Sequence, residues 1–82
     1  MVLQSNNWCF THNNYCDNDV ASLMNLGSSD AVSYLVFGKE VGESGTPHLQ
    51  GFIRFNSHKR LGGVKTLLGD DVHIEVAKNP AV

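Results

Sequence analysis

Four stretches of the sequence have the pattern of β-strands: three alternate between two unlike faces with a period of two, and the fourth, Ala31–Glu40, is dense in valine, tyrosine, leucine and phenylalanine. They are Asn7–Asn13, Ala31–Glu40, His48–Phe55 and Asp71–Ala77. In the third stretch the alternation separates two unlike faces. Leu49, Ile53 and Phe55 form an apolar face, and the opposite face consists of His48, Gln50, Phe52 and Arg54. The pattern therefore predicts a sheet with one buried face and one face available for chemistry.

A first helix is predicted between the first two strands. Asp17-Asn18-Asp19 supplies an N-cap and an acidic first turn, and both features favour a helix start. Val20, Leu23 and Met24 recur at helical spacing and predict a buried stripe. Gly27 follows this stripe as the predicted C′ residue.

A second helix is predicted over His58–Leu68, with Ser57 as its cap. Its predicted inner side consists of Leu61, Val64, Leu67 and Leu68. Gly62-Gly63 lie inside this helix, where each glycine costs about 1 kcal/mol relative to alanine. Gly69-Asp70-Asp71 ends the helix, and Lys78-Asn79-Pro80 ends the last strand.

The predicted order is strand, helix, strand, strand, helix, strand. Val41–Thr46 has the length and glycine content of a hairpin loop, so the strands on either side of it are expected to pair antiparallel. This order predicts an α+β fold, an antiparallel sheet with helices on one face in the ferredoxin-like or RRM-like split βαβ arrangement. Hairpin pairing would also bring Glu40 beside His48 and Gln50 on the uncovered face.

Length and charge limit what such a domain can do. The 82 residues are enough for one small domain. A net charge of −2 argues against a protein that coats nucleic acid by charge alone. Arg54, Lys59 and Arg60 lie close together in the sequence, however, and are compatible with a local phosphate-contacting patch; the alternative is that Lys59 and Arg60, at a predicted helix start, form a solvated surface.

No apolar run approaches the roughly 20 residues that a membrane helix needs, and the first residues do not have the pattern of a secretory signal. Cys9 and Cys16 lie in no metal-binding spacing and make no disulfide framework. A reduced, intracellular setting is the simplest interpretation.

Glu40, His48 and Gln50 combine a carboxylate, an imidazole and a carboxamide without a thiolate. Such a mixed oxygen and nitrogen set suits Mg²⁺ or Mn²⁺ better than structural zinc. A metal held by three protein groups keeps positions for water and a phosphate oxygen, and it can polarise a phosphoryl group. The alternative is that these polar side chains are simply solvated.

Contacts with nucleic acid are also suggested by the first strand. The Asn13-Asn14 turn offers carboxamides and backbone N–H groups to phosphates or base edges, although such a pair commonly serves only as a turn. Trp8 and Phe10 could stack on bases, as aromatics on open sheet faces do, but a place in the core is the favoured interpretation.

Two motifs in this sequence resemble a known family. Phe10-Thr11-His12-Asn13-Asn14 resembles the first motif, FTxNN, of the replication initiators (Rep) of small circular single-stranded DNA viruses. Pro47-His48-Leu49-Gln50-Gly51 resembles their second motif, and the strand between the two ends in Glu40 as expected. These proteins belong to the HUH endonuclease superfamily, and circovirus-like and nanovirus-like members fit best. The resemblance covers essentially the whole chain.

The resemblance implies a divalent metal, Mg²⁺ or Mn²⁺, held by Glu40, His48 and Gln50, with Gln50 standing where many relatives have a second histidine. It implies binding of single-stranded DNA at a viral replication origin in the host nucleus, with no membrane partner and with oligomerisation, if any, through other regions. The candidate DNA-contacting residues, from the resemblance and from the patterns above, are Trp8, Phe10, Thr11, Asn13, Asn14, Arg54, Lys59 and Arg60.

The family's activity is nicking and joining of DNA in rolling-circle replication. A tyrosine followed closely by a lysine attacks the scissile phosphate, forms a 5′-phosphotyrosine link and leaves a 3′-hydroxyl. Tyr15 and Tyr34 have no lysine three residues later, so the nucleophile is expected beyond Val82. The chain is then a truncated endonuclease domain, expected to bind metal and DNA without nicking.

Two other functions fit the same pattern. A non-catalytic, RRM-like binder of single-stranded nucleic acid would bind regardless of metal, but its usual aromatic pair on adjacent central strands is not evident in the sequence. A plain interaction domain would bind neither metal nor nucleic acid.

Overall fold

Six elements follow one another in the predicted order in the computed structural model, which describes residues 4–77. The strands are β1 (Gln4–Asn13), β2 (Val32–Val41), β3 (Pro47–Arg60) and β4 (His73–Val76), and the helices are α1 (Asp17–Gly27) and α2 (Leu61–Leu68). The predicted strand break at Lys78-Asn79-Pro80 lies outside the described residues.

The four strands form one sheet in the order β2-β3-β1-β4, and every neighbouring pair is antiparallel. β1 and β2 therefore run parallel to each other on either side of β3. This is the split βαβ topology of ferredoxin-like folds, so the predicted α+β class is confirmed. β3 and β1 occupy the centre and carry the two sequence motifs.

The hydrophobic core lies between the sheet and both helices. Trp8, Phe10, Leu49 and Ile53 from the central strands are each at most 2% exposed. They pack in one cluster with Leu23 of α1, Val64 of α2, Val72 and Ile74. Both helices thus cover the same face of the sheet. No helix among residues 4–77 is long and apolar enough to cross a membrane.

The boundary between β3 and α2 differs from the prediction. His58–Arg60 were expected to begin the helix after a Ser57 cap, but β3 continues to Arg60 and α2 begins at Leu61. The reason is long-range pairing: Arg60 and Lys59 lie opposite Gln4 and Ser5 of β1. β1 starts three residues before its predicted start at Asn7 for the same reason.

Two residues predicted to be buried on the helices are exposed. Met24 is 59% exposed, because α1 packs through Val20, Leu23 and Leu26 instead. Leu67 is 45% exposed, because Leu61, Val64 and Leu68 complete the inner side of the short α2 without it.

Both ends of α1 differ from the prediction. Cys16 is the N-cap, and Ser28 is the C-cap. Gly27 therefore lies at the end of the helix, where a Cβ would approach a Leu35 methyl carbon to 2.6 Å. Close helix–sheet packing, rather than a left-handed cap, accounts for this glycine.

Two glycines provide a matched test of the fold. Gly63 lies in α2, and a Cβ there would meet no atom within 4 Å. Because alanine is a better helix former, Gly63→Ala is expected to raise the free energy of unfolding by about 0.5–1 kcal/mol. In Gly51→Ala the new Cβ would overlap the Val36 carbonyl oxygen, so this variant should unfold more easily. Urea denaturation followed by circular dichroism measures both, and destabilisation by Gly63→Ala would contradict the described helix.

Candidate metal and nucleic-acid site

The sheet face opposite the helices is called the open face here. Its members alternate along each strand with the buried core residues. β1 and β2 contribute Asn7, Cys9, Thr11, Asn13, Tyr34, Val36, Gly38 and Glu40, whereas β3 and β4 contribute His48, Gln50, Phe52, Arg54, His73 and Glu75. The predicted assignment of His48, Gln50 and Glu40 to the uncovered face is therefore confirmed.

The β2–β3 hairpin brings a carboxylate and an imidazole together. Glu40 and His48 are register partners at the closed end of this hairpin, and Glu40 Oε1 lies 3.4 Å from His48 Nε2. Below them the loop is closed by a hydrogen bond from the Gly42 N–H to the Thr46 carbonyl oxygen (2.9 Å). Gly45 has φ +86°, a left-handed conformation that glycine adopts without strain. The loop sequence thus fixes the register that places Glu40 opposite His48.

The end of β1 completes this corner of the sheet. Asn13 is the register partner of His48 on the side opposite Glu40. The chain then turns at Asn14, which has φ +56°, a conformation that asparagine tolerates. The Asn14 N–H donates to the Pro47 carbonyl oxygen at 2.8 Å. The two sequence motifs are therefore joined directly, and the predicted turn is confirmed.

Gln50 lies in the next row of the open face, between Thr11 and Gly38. Gln50 is the diagonal neighbour of Glu40 across the hairpin. Long side chains can span the distance between such diagonal positions. No three side chains of the His, Cys, Asp or Glu types gather into a metal-binding group within residues 4–77. A metal at this corner would therefore need a donor of another type, for which the Gln50 amide oxygen is the candidate, and such a set of donors fits Mg²⁺ or Mn²⁺.

Trp8 and Phe10 cannot stack on bases. Trp8 is fully buried and Phe10 is 2% exposed, both on the helix-covered face. The Trp8 indole N–H is satisfied by the Ser5 carbonyl oxygen at 2.9 Å. Their proposed DNA-contacting role is corrected, and the core interpretation is confirmed. Their neighbour Thr11 does lie on the open face, half-buried.

The three cations grouped in the sequence are spread along β3. Arg54 lies on the open face, where its Nε donates to Asn7 Oδ1 at 2.9 Å. Lys59 Nζ lies 5.8 Å from the centroid of the Phe55 ring, and Arg60 is the N-cap of α2. At roughly 3.3 Å per residue, Lys59 is up to about 35 Å along the strand from His48. Lys59 and Arg60 can therefore contact only DNA that extends well beyond the Glu40–His48 corner.

An aromatic pair on the open face was missed by sequence reasoning. The Tyr34 and Phe52 rings lie on the adjacent strands β2 and β3 with their centroids 6.0 Å apart and their planes tilted by 59°. Tyr34 is 54% exposed. The signal was present in the alternation, which places both residues on the open face, together with the hairpin register. The pair is accessible to a ligand, unlike Trp8 and Phe10.

A buried histidine holds the first motif against neighbouring elements. His12 is 7% exposed, and its Nε2 lies 3.4 Å from Asp71 Oδ2 and 3.8 Å from Asp19 Oδ2. Asp19 Oδ2 also accepts a hydrogen bond from the Cys16 N–H at 2.8 Å. Hydrogen bonds from Cys16, its backbone N–H above all, and the nearby His12 ring lower the pKa of Asp19. These contacts tie β1, the start of α1 and the segment before β4 together.

The structure brings the two motifs together at one corner of an antiparallel sheet. A family model described as "Putative viral replication protein" matches residues 5–81. The chain is 46% identical over 71 residues to the Replication-associated protein of Beak and feather disease virus, covering 87% of this chain and 24% of that protein. It is 38% identical over 71 residues to Para-Rep C2 of Subterranean clover stunt C2 alphasatellite, covering 87% of this chain and 25% of that protein.

A third relative comes from a nanovirus. The Master replication protein of Faba bean necrotic yellows virus (isolate Syrian SV292-88) is 39% identical over 61 residues, covering 74% of this chain and 19% of that protein. The chain therefore belongs to the viral replication (Rep) protein family of circular single-stranded DNA viruses. It spans 19–25% of the length of these relatives.

The contacts of Asp19 predict a pH-dependent contribution to stability. Because the folded-state pKa of Asp19 is lowered, its carboxylate stabilises the fold fully above the ordinary pKa of 3.8. This contribution is lost as the pH falls through the lower folded-state value. Asp19→Ala should therefore lower the melting temperature at pH 7 and match the unsubstituted protein at the most acid pH that still permits folding.

Thermal unfolding at several pH values measures this difference. Asp17→Ala is the matched control, because it removes another first-turn acid from the same helix. A melting-temperature difference for Asp19→Ala that is independent of pH would show that the carboxylate is not the stabilising group.

Proposed function

We propose that this chain is the origin-binding part of a metal-dependent endonuclease domain, which nicks and joins single-stranded DNA during rolling-circle replication of a viral genome. The observation that carries the proposal is the convergence of Glu40 and His48 at 3.4 Å, with Asn13 as the next register partner. Membership of the Rep family supports the same function. The enzyme class is a sequence-specific DNA nickase that acts by transesterification.

In this proposal Glu40, His48 and Gln50 hold one divalent cation, Mg²⁺ or Mn²⁺. When bound, such a cation polarises a phosphoryl oxygen of the scissile phosphate. Glu40 supplies the negative charge that attracts the cation, and its side chain is 55% exposed, open to ion entry. The His48 side chain is only 18% exposed, so its ring is held by its surroundings.

The attacking tyrosine is not supplied by either tyrosine of this chain. Tyr34 lies on the open face but six residues from Glu40 along β2, roughly 20 Å at 3.3 Å per residue. Tyr15 is partly buried against the core. The proposal therefore assigns metal binding and DNA binding to these residues, and it takes the nucleophile from beyond Val82, as the family resemblance implies.

DNA would run over the open face from the Glu40–His48 corner. Asn13, Asn14 and Thr11 surround that corner with polar groups that can contact phosphates or base edges. Arg54 lies further along β3 and keeps guanidinium N–H groups beyond the one that donates to Asn7. Such a path suits single-stranded origin DNA as the partner. The host nucleus, as the proposed site of action, follows from the family resemblance alone.

A second candidate function is favoured by the Tyr34–Phe52 pair. Exposed aromatics on adjacent strands are the stacking surface of many non-catalytic binders of single-stranded nucleic acid. This alternative predicts DNA binding that is indifferent to divalent metal and unchanged by substitution of Glu40 or His48.

A Mn²⁺ titration followed by amide NMR tests the proposed metal site. Paramagnetic broadening is expected first at Glu40, His48 and Gln50. Glu40→Ala and His48→Ala should each abolish this pattern with little change in melting temperature, because both side chains lie on the open face rather than in the core.

His73→Ala is the matched control for the titration. His73 Nε2 lies 3.1 Å from Glu75 Oε1. The substitution therefore removes another imidazole that lies next to a carboxylate on the same face. Broadening at the Glu40–His48 corner should persist in this variant. Absence of broadening there at millimolar Mn²⁺ would overturn the endonuclease proposal and favour the metal-independent binder.

Lys59 and Arg60 are tested through the salt dependence of DNA binding. If both contact phosphates, Lys59→Gln/Arg60→Gln should reduce the slope of log K against log salt by about 1.4 for single-stranded DNA. Lys65→Gln, on α2, is the control and should leave the slope unchanged. Fluorescence anisotropy of a labelled oligonucleotide measures the slope, and equal slopes for the double variant and the unsubstituted protein would rule these contacts out.

A further inference from the structure

We propose that the depression over Gly38 on the open face is a subsite for one unpaired nucleobase, next to the phosphate held at the Glu40–His48 corner. This inference rests on the proposed function and adds a base-binding site to it. Phe52, supported by Tyr34, forms the apolar wall of the subsite, and Gly38 keeps its floor free of a side chain.

Gly38 is not required by the fold. It lies in the interior of β2 opposite Gln50, where a Cβ would meet no atom within 4 Å. Glycine weakens the interior of a strand, and it commonly marks a place where a ligand approaches the backbone closely. Gly51, one strand away, is different, because a Cβ there would overlap Val36 and Phe37. Packing thus accounts for Gly51 but not for Gly38.

Gly38 lines a depression in the surface of the open face. A depression of about 720 Å³ lies on the open face, and its lining includes Gly38, Thr11, Gln50, Phe52 and Glu75. Apolar groups and hydrogen-bonding groups therefore face the same space. A nucleobase has the same division, with apolar faces and polar edges, and bases removed from a stack are recognised in this way by RNA-binding and DNA-binding sheets.

The walls of the depression match a base better than a protein partner. Phe52 is half-buried, and the Tyr34 ring is tilted against it at a centroid distance of 6.0 Å, so the Phe52 ring is held from one side. Arg54 lies directly opposite Tyr34, where its positive charge suits a neighbouring phosphate. An amphipathic protein helix would need a continuous apolar surface, whereas polar Gln50 and Glu75 interrupt this one.

The position of the depression sets which nucleotide it takes. Gly38 is two residues from Glu40 on the same strand, roughly 7 Å away. A base over Gly38 and a phosphate at Glu40 and His48 therefore belong to the same nucleotide or to adjacent ones. Through this subsite a base would help to place the scissile phosphate at the metal ligands.

Filling the depression tests the proposal. Gly38→Val adds a side chain that the strand accommodates, and valine favours strands, so the variant is expected to fold. Two probes are compared by anisotropy with the full 82-residue chain: labelled dT12 and an abasic deoxyribose-phosphate oligomer of the same length. Gly38→Val should weaken dT12 binding about fivefold or more, in line with the loss of one stacked base, and leave binding of the abasic oligomer unchanged.

Two further variants check that the base stacks on a ring. Phe52→Leu keeps apolar bulk but removes the ring, and it should weaken dT12 binding by a similar factor. Gly63→Ala, on the helix side, is the control and should bind both oligomers as the unsubstituted protein does. Unchanged dT12 binding in either Gly38→Val or Phe52→Leu would overturn the subsite.

Failure of the subsite is distinguishable from failure of the proposed function by the Mn²⁺ titration. If Gly38→Val loses dT12 affinity while broadening at Glu40, His48 and Gln50 persists, the subsite is supported separately from the metal site. If that broadening disappears in Gly38→Val, the substitution acts on the metal corner, and the subsite is overturned. If the unsubstituted chain binds neither Mn²⁺ nor dT12, the proposed function fails and the subsite fails with it.

Discussion

The antiparallel pairing of β1 with β3 is the constraint on which the rest of this structure depends. It runs through the centre of the sheet, where Trp8 lies opposite Ile53, and both side chains are fully buried. The same register sets Asn13 opposite His48 and so joins the two motifs of the family. A slip of one residue would turn Trp8 toward solvent and the polar groups of β1 toward the core. The core therefore determines the geometry of the candidate site.

Separation of the two sheet faces makes a polar candidate site compatible with so small a domain. The helix-covered face holds the buried apolar cluster, so the open face is free to carry Glu40, His48 and Gln50. Polar groups on this face remain in contact with water, and they need no buried partners. His12 is the exception on the covered face, and two carboxylates accompany it.

Period-two alternation and the order of elements were sufficient to predict the fold class, and the short hairpin loop was sufficient to predict the meeting of Glu40 with His48, because that contact depends on residues that are close in sequence. The β3–α2 boundary was not predictable in this way. Arg60 is held in the strand by Gln4, a partner more than 50 residues away. The contact of His12 with Asp71 is equally distant in sequence. Stacking by Trp8 was wrong because alternation identifies two faces but does not say which one the helices cover.

Gly38 and Gly51 show how an open sheet face can be shaped independently of the core beneath it. Both glycines lie in the interior of neighbouring strands, and both weaken those strands. At Gly51 the loss is offset by close packing of β3 against Phe10 and Phe37, for which a side chain would leave no room. At Gly38 no contact in the fold offsets the loss of strand stability, since a Cβ at this residue would meet no atom within 4 Å. A strand that forgoes a stabilising side chain without gaining a contact is best explained by a ligand that occupies the space, and the neighbouring Gln50 and Phe52 provide the polar and aromatic groups to hold one.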